Sequence, residues 1–132
     1  MPVKTVYKLM TAAGWEAARA EGVYRGSEAD LRDGFIHFST AAQAGETARK
    51  HFAGVPDLVL LAVGIEMLEK LHVPAEDPTP ASGGSALRWE PSRGGELFPH
   101  LYAHLPAAAV QSASPVPLAD DGTPIIPADL AS

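Results

Sequence analysis

A turn, a buried strand and the start of a helix follow one another in Asp33-Gly34-Phe35-Ile36-His37-Phe38-Ser39-Thr40. On a strand, Phe35 and His37 point to one side and their neighbours to the other. Because aromatic residues flank His37, its imidazole is partly desolvated and needs a hydrogen-bond partner. One reading is a half-buried histidine that fixes a loop. We expect instead that the strand forms one wall of a cleft into which His37 faces.

The residues after His37 favour a ligand site. Ser39 lies on the same strand face, and Thr40 with Gln43 has the spacing of a capping box that opens a helix. The free backbone N–H groups of a helix N-terminus attract anions. We therefore predict that Ser39 and Thr40 contact a ligand beside the imidazole.

Composition narrows the class of protein. The chain has 132 residues, 46% of them hydrophobic and 20% charged, which is typical of one globular domain over residues 1–132. A formal net charge of −6, without a basic run, argues against binding to nucleic acid. The absence of cysteine excludes disulfides and thiolate chemistry.

The longest apolar run is too short for a bilayer, and the N-terminus lacks the pattern of an export signal, so we expect a cytoplasmic protein with no membrane partner. The sequence does not predict an oligomeric state.

The order of the predicted elements favours an α+β fold. We predict strands over Val3–Leu9, Phe35–Phe38, Asp57–Val63, Glu96–Leu105 and Val110–Val116, and helices over Ala12–Glu21, Ser27–Leu31, Thr40–Phe52 and Ile65–Leu71. Residues 73–86 contain prolines and Gly83-Gly84 without periodicity, which predicts a loop insertion. Helices early and strands late indicate mixed or antiparallel sheets rather than a doubly wound parallel sheet.

A second group of candidates follows this loop. Arg88, Trp89, Glu90 and Arg93 place an aromatic surface beside a carboxylate and two guanidinium groups. An exposed ion pair with Trp89 in the core is one interpretation, and such a pair is worth little. The other is a cleft rim that suits a ligand with a ring, a sugar and a phosphate.

A third group lies on the next predicted strand, where His100, Tyr102 and His104 share one face. Two histidines on one face raise the hypothesis of a zinc site with a nearby glutamate. The HExxH pattern is absent and prolines flank the segment, so we predict no metal. A polar strand face that lines the same cleft as His37 is the preferred interpretation.

Three blocks taken together resemble the bacterial family called domain of unknown function 952. They are Val6-Tyr7-Lys8 leading to Trp15, the Gly34–Thr40 block with Gln43, and Arg88-Trp89-Glu90 followed by Phe98-Pro99-His100-Leu101-Tyr102. The resemblance covers nearly the whole chain. It implies an ADP-ribosyltransferase-like fold, in which two small packed sheets form a cleft for NAD with helices to one side. Where the family has Gly-Pro after the tyrosine, this chain has Ala103-His104, so His104 is expected to be a local feature.

The resemblance also implies roles. Lys8 and His37 would hold the nucleotide and the nicotinamide ribose, and Glu90 would stabilise the transition state; we take His37 and Glu90 as the catalytic candidates. The ligand-binding candidates are Lys8, Ser39, Thr40, Arg88, Trp89, Arg93, His100 and Tyr102. The implied function is an enzyme of transferase or glycohydrolase type with NAD or a nucleotide sugar as substrate and no permanently bound cofactor. The alternative is a non-catalytic module that binds a nucleotide-like ligand or a protein.

Overall fold

The computed structural model describes residues 3–71, 73–74, 87–92, 95–127 and 130. The strands are β1 (Thr5–Thr11), β2 (Val23–Tyr24), β3 (Ile36–His37), β4 (Leu58–Gly64), β5 (Val73–Pro74), β6 (Leu87–Ser92), β7 (Glu96–Leu101), β8 (Ala103–Pro106) and β9 (Val110–Val116). The helices are α1 (Ala12–Glu21), α2 (Glu28–Asp33), α3 (Ala41–His51) and α4 (Ile65–Leu71), and a 3-10 turn spans Ala107–Ala109. Candidate Arg93 and most of the predicted loop 73–86 lie outside the described residues.

Within the described residues, the strands form three small sheets with the orders β1-β4-β9, β2-β8-β5 and β3-β7-β6. Every pairing among them is antiparallel. Helices accompany the sheets, so the expectation of an α+β protein with small antiparallel sheets is confirmed.

The helix boundaries follow the capping residues. Thr11 accepts a hydrogen bond from the Gly14 N–H at the start of α1, and Gly22 ends that helix in the left-handed conformation at φ 91°. The Thr40 and Gln43 side chains form the predicted capping box at the start of α3. The predicted limits of α1 and α4 are confirmed.

The strand limits needed correction. The predicted strand Glu96–Leu105 is two strands, because β7 pairs with β3 and β6 whereas β8 pairs with β2 and β5. The chain bends at Tyr102 to change sheet, so His100 and His104 do not share a face as predicted. The predicted loop starts too early, since Val73–Pro74 pairs with β8. Sequence reasoning also placed Pro91 in a turn, whereas it pairs with Leu97 near the end of β6, an edge strand that tolerates proline.

A backbone bridge connects the sheet β1-β4-β9 to the end of strand β3 in the sheet β3-β7-β6. Tyr7 of β1 and Ser39 form an isolated antiparallel bridge, with backbone N···O distances of 2.7 and 2.9 Å. One core cluster packs behind this junction, around Val6, Ile36, Leu61 and Leu101. The bridge therefore fixes the end of β3, and with it the backbone of His37, against β1. In the described part of the chain, no helix has the length and apolar character needed to cross a membrane.

Candidate functional site

A cleft of about 490 Å³ opens where β1 and β3 meet. Its polar wall comes from β1, β3, β7 and the facing sides of α2 and α3. The lining residues with polar side chains are Tyr7, Lys8, Arg32, Asp33, His37, Ser39, Thr47, His51 and His100. The remaining wall is apolar and largely aromatic, so the cleft combines a polar end with a hydrophobic one. A volume of this size is typical of small-molecule sites.

His37 lies in the cleft as predicted, and carboxylates hold both of its ring nitrogens. Nδ1 is 2.6 Å from Oδ1 of Asp30, and Nε2 is 2.9 Å from Oδ2 of Asp33. The side chain of His37 is 37% exposed, whereas that of Asp30 is 2% exposed. A doubly protonated ring would donate to both carboxylates, and a neutral ring to only one. The ring therefore lies between the buried carboxylate of Asp30 and the partly exposed carboxylate of Asp33.

Asp30 is the hub of this buried network. It accepts hydrogen bonds from the backbone N–H groups of Ser27 and His37 as well as from the imidazole. Burial would raise the pKa of Asp30, but the hydrogen bond from His37, the charge of Lys8 and the two backbone bonds outweigh it, and the pKa lies well below its usual range. Asp30 is therefore ionised at neutral pH.

Lys8 reaches the cleft wall but is not available as a free cation. Its Nζ lies 3.1 Å from Oδ2 of Asp30 and donates to the His37 carbonyl at 3.0 Å. Burial lowers the pKa of Lys8, and the Asp30 carboxylate opposes that change. The family resemblance implied a contact between Lys8 and a nucleotide, whereas the ammonium group contacts Asp30 and the His37 carbonyl within the protein.

A second carboxylate–histidine pair lies on the same face of the β3-β7-β6 sheet. His100 is directly opposite His37 in the β3–β7 register, and its Nδ1 is 2.8 Å from Oε1 of Glu90. The Tyr102 hydroxyl donates to the same oxygen at 2.6 Å. This hydrogen bond, followed by that of His100, lowers the pKa of Glu90 against the opposing effect of burial. His100 lines the cleft, and Glu90 contacts the ring of His100.

Aromatic contacts join the two pairs. The Phe35 ring stacks on His100 with centroids 4.0 Å apart and planes 22° apart, and it touches His37 at 4.6 Å. The His37 and His100 rings approach edge to face at 5.6 Å. The Arg88 guanidinium lies 4.5 Å from the Tyr102 ring centre. These contacts leave the two imidazoles little freedom to rotate.

The other predicted ligand residues take separate positions. Ser39 lines the cleft, where its hydroxyl is 2.8 Å from that of Thr47. Thr40 uses its hydroxyl to accept from the Gln43 N–H, as a helix cap does. Trp89 alternates with Arg88 and Glu90 along β6 and is 39% exposed. The structure therefore places His37, Ser39, His100 and Lys8 on the cleft wall, with Glu90, Arg88 and Tyr102 grouped behind His100.

Sequence reasoning missed Asp30, Asp33, Arg32 and His51. Asp30 was hidden because the Ser27-x-x-Asp30 spacing also explains a capping box, which the structure contains. Asp33 had been assigned to a turn, although its spacing of four from His37 was a usable signal. His51 enters from the end of α3, which sequence spacing alone does not relate to His37.

The arrangement is suited to moving protons and to stabilising positive charge next to the two imidazoles. Partly buried carboxylates strengthen both effects because the local dielectric is lower than that of water. The part of the chain that the structure describes contains no cluster of three His, Cys, Asp or Glu residues suited to a metal ion.

The chain is similar to solved structures of protein CC0527 from Caulobacter crescentus. The crystal structure of protein CC0527 from Caulobacter crescentus is 44% identical to this chain, with a TM-score of 0.77 over 92% of this chain and 93% of that chain. The solution NMR structure of CC0527 gives 42% identity and a TM-score of 0.70 over 91% of this chain and 90% of that chain. No curated protein matches the chain. Residues 9–113 match the family described as "Protein of unknown function (DUF952)", a span that includes both carboxylate–histidine pairs, and the chain belongs to that family.

Proposed function

We propose that the protein is an enzyme of ADP-ribosyltransferase or glycohydrolase type that binds NAD or a nucleotide sugar in the cleft. The observation that carries the proposal is the placement of two carboxylate-held histidines, His37 and His100, on one wall of a 490 Å³ cleft. The cleft opens where two small antiparallel sheets meet, which supports an ADP-ribosyltransferase-like fold.

The chemistry of this substrate class fits the groups present. When a bond between a ribose and its leaving group breaks, positive charge develops on the sugar ring. A carboxylate held in a low-dielectric cleft stabilises that charge. Asp33 lines the cleft, with Oδ2 directed at His37, whereas Oε1 of Glu90 accepts bonds from His100 and Tyr102. In our proposal Asp33 takes the electrostatic role that the family resemblance implied for Glu90.

The remaining lining groups serve substrate binding. Arg32 lines the cleft and its side chain is 72% exposed, so its guanidinium can reach a diphosphate although it also contacts Asp33 at 3.3 Å. Lys8 faces Asp30, and we therefore propose Arg32 rather than Lys8 for this contact. The apolar end of the cleft, with Phe52 and Phe98, suits the flat face of a base or a nicotinamide ring.

Thermal stability with NAD, ADP-ribose and nicotinamide, together with release of nicotinamide from NAD, tests the proposal. A ligand at a hundred times its Kd adds about 2.7 kcal/mol of stability, which for a domain of this size raises Tm by about 10 °C. The Asp33→Asn variant should keep the stabilisation by ADP-ribose and lose most of the turnover. Glu66→Gln changes an exposed carboxylate, 86% exposed on α4, and serves as the matched control.

The contacts of His37 favour a second candidate, a non-catalytic module that binds a nucleotide-like ligand. Both ring nitrogens and the neighbouring Lys8 are bound to carboxylates, an arrangement that holds a wall rigid without chemistry. Stabilisation by ADP-ribose without nicotinamide release would favour this candidate. A flat thermal response to all three compounds would exclude both the enzyme and the nucleotide module.

A further inference from the structure

The two ring nitrogens of His100 have different surroundings. Nδ1 lies 2.8 Å from a carboxylate oxygen of Glu90, which accepts hydrogen bonds, so Nδ1 carries the proton. The bond made by one ring nitrogen sets the protonation of the other. Nε2 of a neutral ring then keeps its lone pair. The structure gives Nε2 no hydrogen-bond partner among the residues it describes, and His100 lines the cleft.

The residues around Glu90 keep its side chain ionised, so that it accepts hydrogen bonds. The Tyr102 hydroxyl donates to Oε1 at 2.6 Å. Burial, then the hydrogen bond to Glu90, raises the pKa of Tyr102 to about 12, so the phenol remains a donor at neutral pH. The guanidinium of Arg88, 4.5 Å from the centre of the Tyr102 ring, adds positive charge on the same side. The Tyr102 hydroxyl and the Arg88 guanidinium therefore both stabilise the ionised form of Glu90.

Packing fixes the direction of the ring. His100 is 5% exposed, and Phe35 covers one face at 4.0 Å. A flip that exchanged Nδ1 and Nε2 would remove the bond to Glu90 inside this packed layer. The edge that carries Nε2 is thus the part of the imidazole left for a ligand in the cleft.

We infer that Nε2 of His100 is the general base of the cleft. It takes the proton from the hydroxyl group of the molecule that receives the sugar, such as water or an alcohol. Glu90 is the positioning residue that holds His100 in this tautomer. The assignment of the acceptor rests on the proposed function. The C–N bond to nicotinamide breaks, and its electron pair leaves on the pyridine nitrogen. The acceptor oxygen bonds to the anomeric carbon, and its proton moves to Nε2, while Nδ1 keeps its proton toward Glu90. Carboxylate and phosphate acceptors are already ionised and need no such base.

Protonation of His100 is measured directly by ¹⁵N NMR of the ring nitrogens in the full chain at neutral pH. We expect Nδ1 protonated and Nε2 unprotonated in the wild type. Glu90→Leu leaves Nδ1 without its hydrogen-bond acceptor and should shift the proton toward Nε2, whereas Glu66→Gln should change nothing. A wild-type ring with the proton on Nε2 would overturn the proposal whatever the substrate is.

The kinetic arm uses His100→Ala, with His104→Ala as the matched control because His104 lies on β8 in another sheet. General bases contribute about 10²- to 10⁴-fold, so we expect a loss of that order in kcat for His100→Ala, partial rescue by added imidazole, and no loss for His104→Ala. Methanol should compete with water as acceptor in the wild type. If the wild type cleaves NAD and His100→Ala cleaves it equally well, the base assignment is wrong. If the wild type does not cleave NAD, the proposed function fails, and the NMR result still decides the state of Nε2.

Discussion

The pairs Asp30–His37 and Glu90–His100 use the same two kinds of group and differ in burial. The side chain of Asp30 is 2% exposed, whereas that of Glu90 is 33% exposed. Asp30 also neutralises Lys8, while Glu90 is supported by a neutral phenol. The first pair therefore carries a buried charge network that the fold depends on. The second leaves one imidazole nitrogen open to the cleft, which is the condition for proton transfer.

The largest expected effect comes from Asp30→Asn. The substitution leaves the buried ammonium of Lys8 without its counter-charge, and breaking a buried ion pair in this way costs about 3–5 kcal/mol. Urea unfolding followed by circular dichroism measures the change in the free energy of unfolding. If the variant were within about 0.5 kcal/mol of the wild type, as surface substitutions are, the network would not be structural.

The control for this prediction is the double variant Lys8→Met/Asp30→Asn. Removing both charges avoids an unpaired buried ion, so the double variant should be more stable than Asp30→Asn alone. A double variant that is less stable than the single one would show that hydrogen bonding to Ser27 and His37, rather than the charge of Lys8, gives Asp30 its importance.

The second prediction concerns acid pH. The pKa of Asp30 is lower in the folded protein than its unfolded value of about 3.9. The unfolded state therefore binds more protons as the pH falls, and the free energy of unfolding decreases. The stabilisation by Asp30 is complete above the unfolded pKa and is lost as the pH falls toward the folded one. Unfolding at a series of pH values should show the difference between wild type and Asp30→Asn constant from about pH 6 to 7 and shrinking below about pH 4. A difference that stays constant down to pH 3 would contradict it.

The third prediction applies the same change to the other pair. Glu90→Gln removes a charge that is partly solvated, and the amide can still accept from Tyr102, so we expect a loss of only about 1 kcal/mol. Urea unfolding of this variant beside Asp30→Asn tests the contrast between the two pairs. Equal losses in the two variants would mean that the pairs do not differ in structural importance.

Short-range sequence patterns were sufficient to predict where the helices start and that His37 lies on the wall of a cleft. The caps at Thr11, Ser27 and Thr40 place three helix starts, because the side-chain bonds involved span only three residues. The position of His37 on a cleft wall also followed from its aromatic neighbours. These features depend on residues that are close together in the sequence, and a single sequence shows such neighbours directly.

Long-range pairing was not predictable in the same way. The break at Tyr102 arises because β7 and β8 choose different sheets, and nothing in the alternation of that segment marks the change. Lys8 looked like a nucleotide ligand until Asp30, 22 residues away, supplied its counter-charge. The partners of a buried charge are fixed by tertiary packing, so the local sequence around Lys8 could not show that its ammonium group is already paired.

The last prediction separates capping from binding at Thr40, which the sequence assigned to the ligand. Its hydroxyl accepts from Gln43 N–H and its own N–H donates to the Gln43 side chain, so Thr40→Ala should cost about 1 kcal/mol. Thr11→Ala removes the comparable N-cap of α1 and is the matched control. If Thr40 only caps α3, both variants lose similar stability and both keep the full Tm increase with ADP-ribose. A loss of that increase in Thr40→Ala alone would extend the site beyond the two histidine pairs, to the helix N-terminus beside His37.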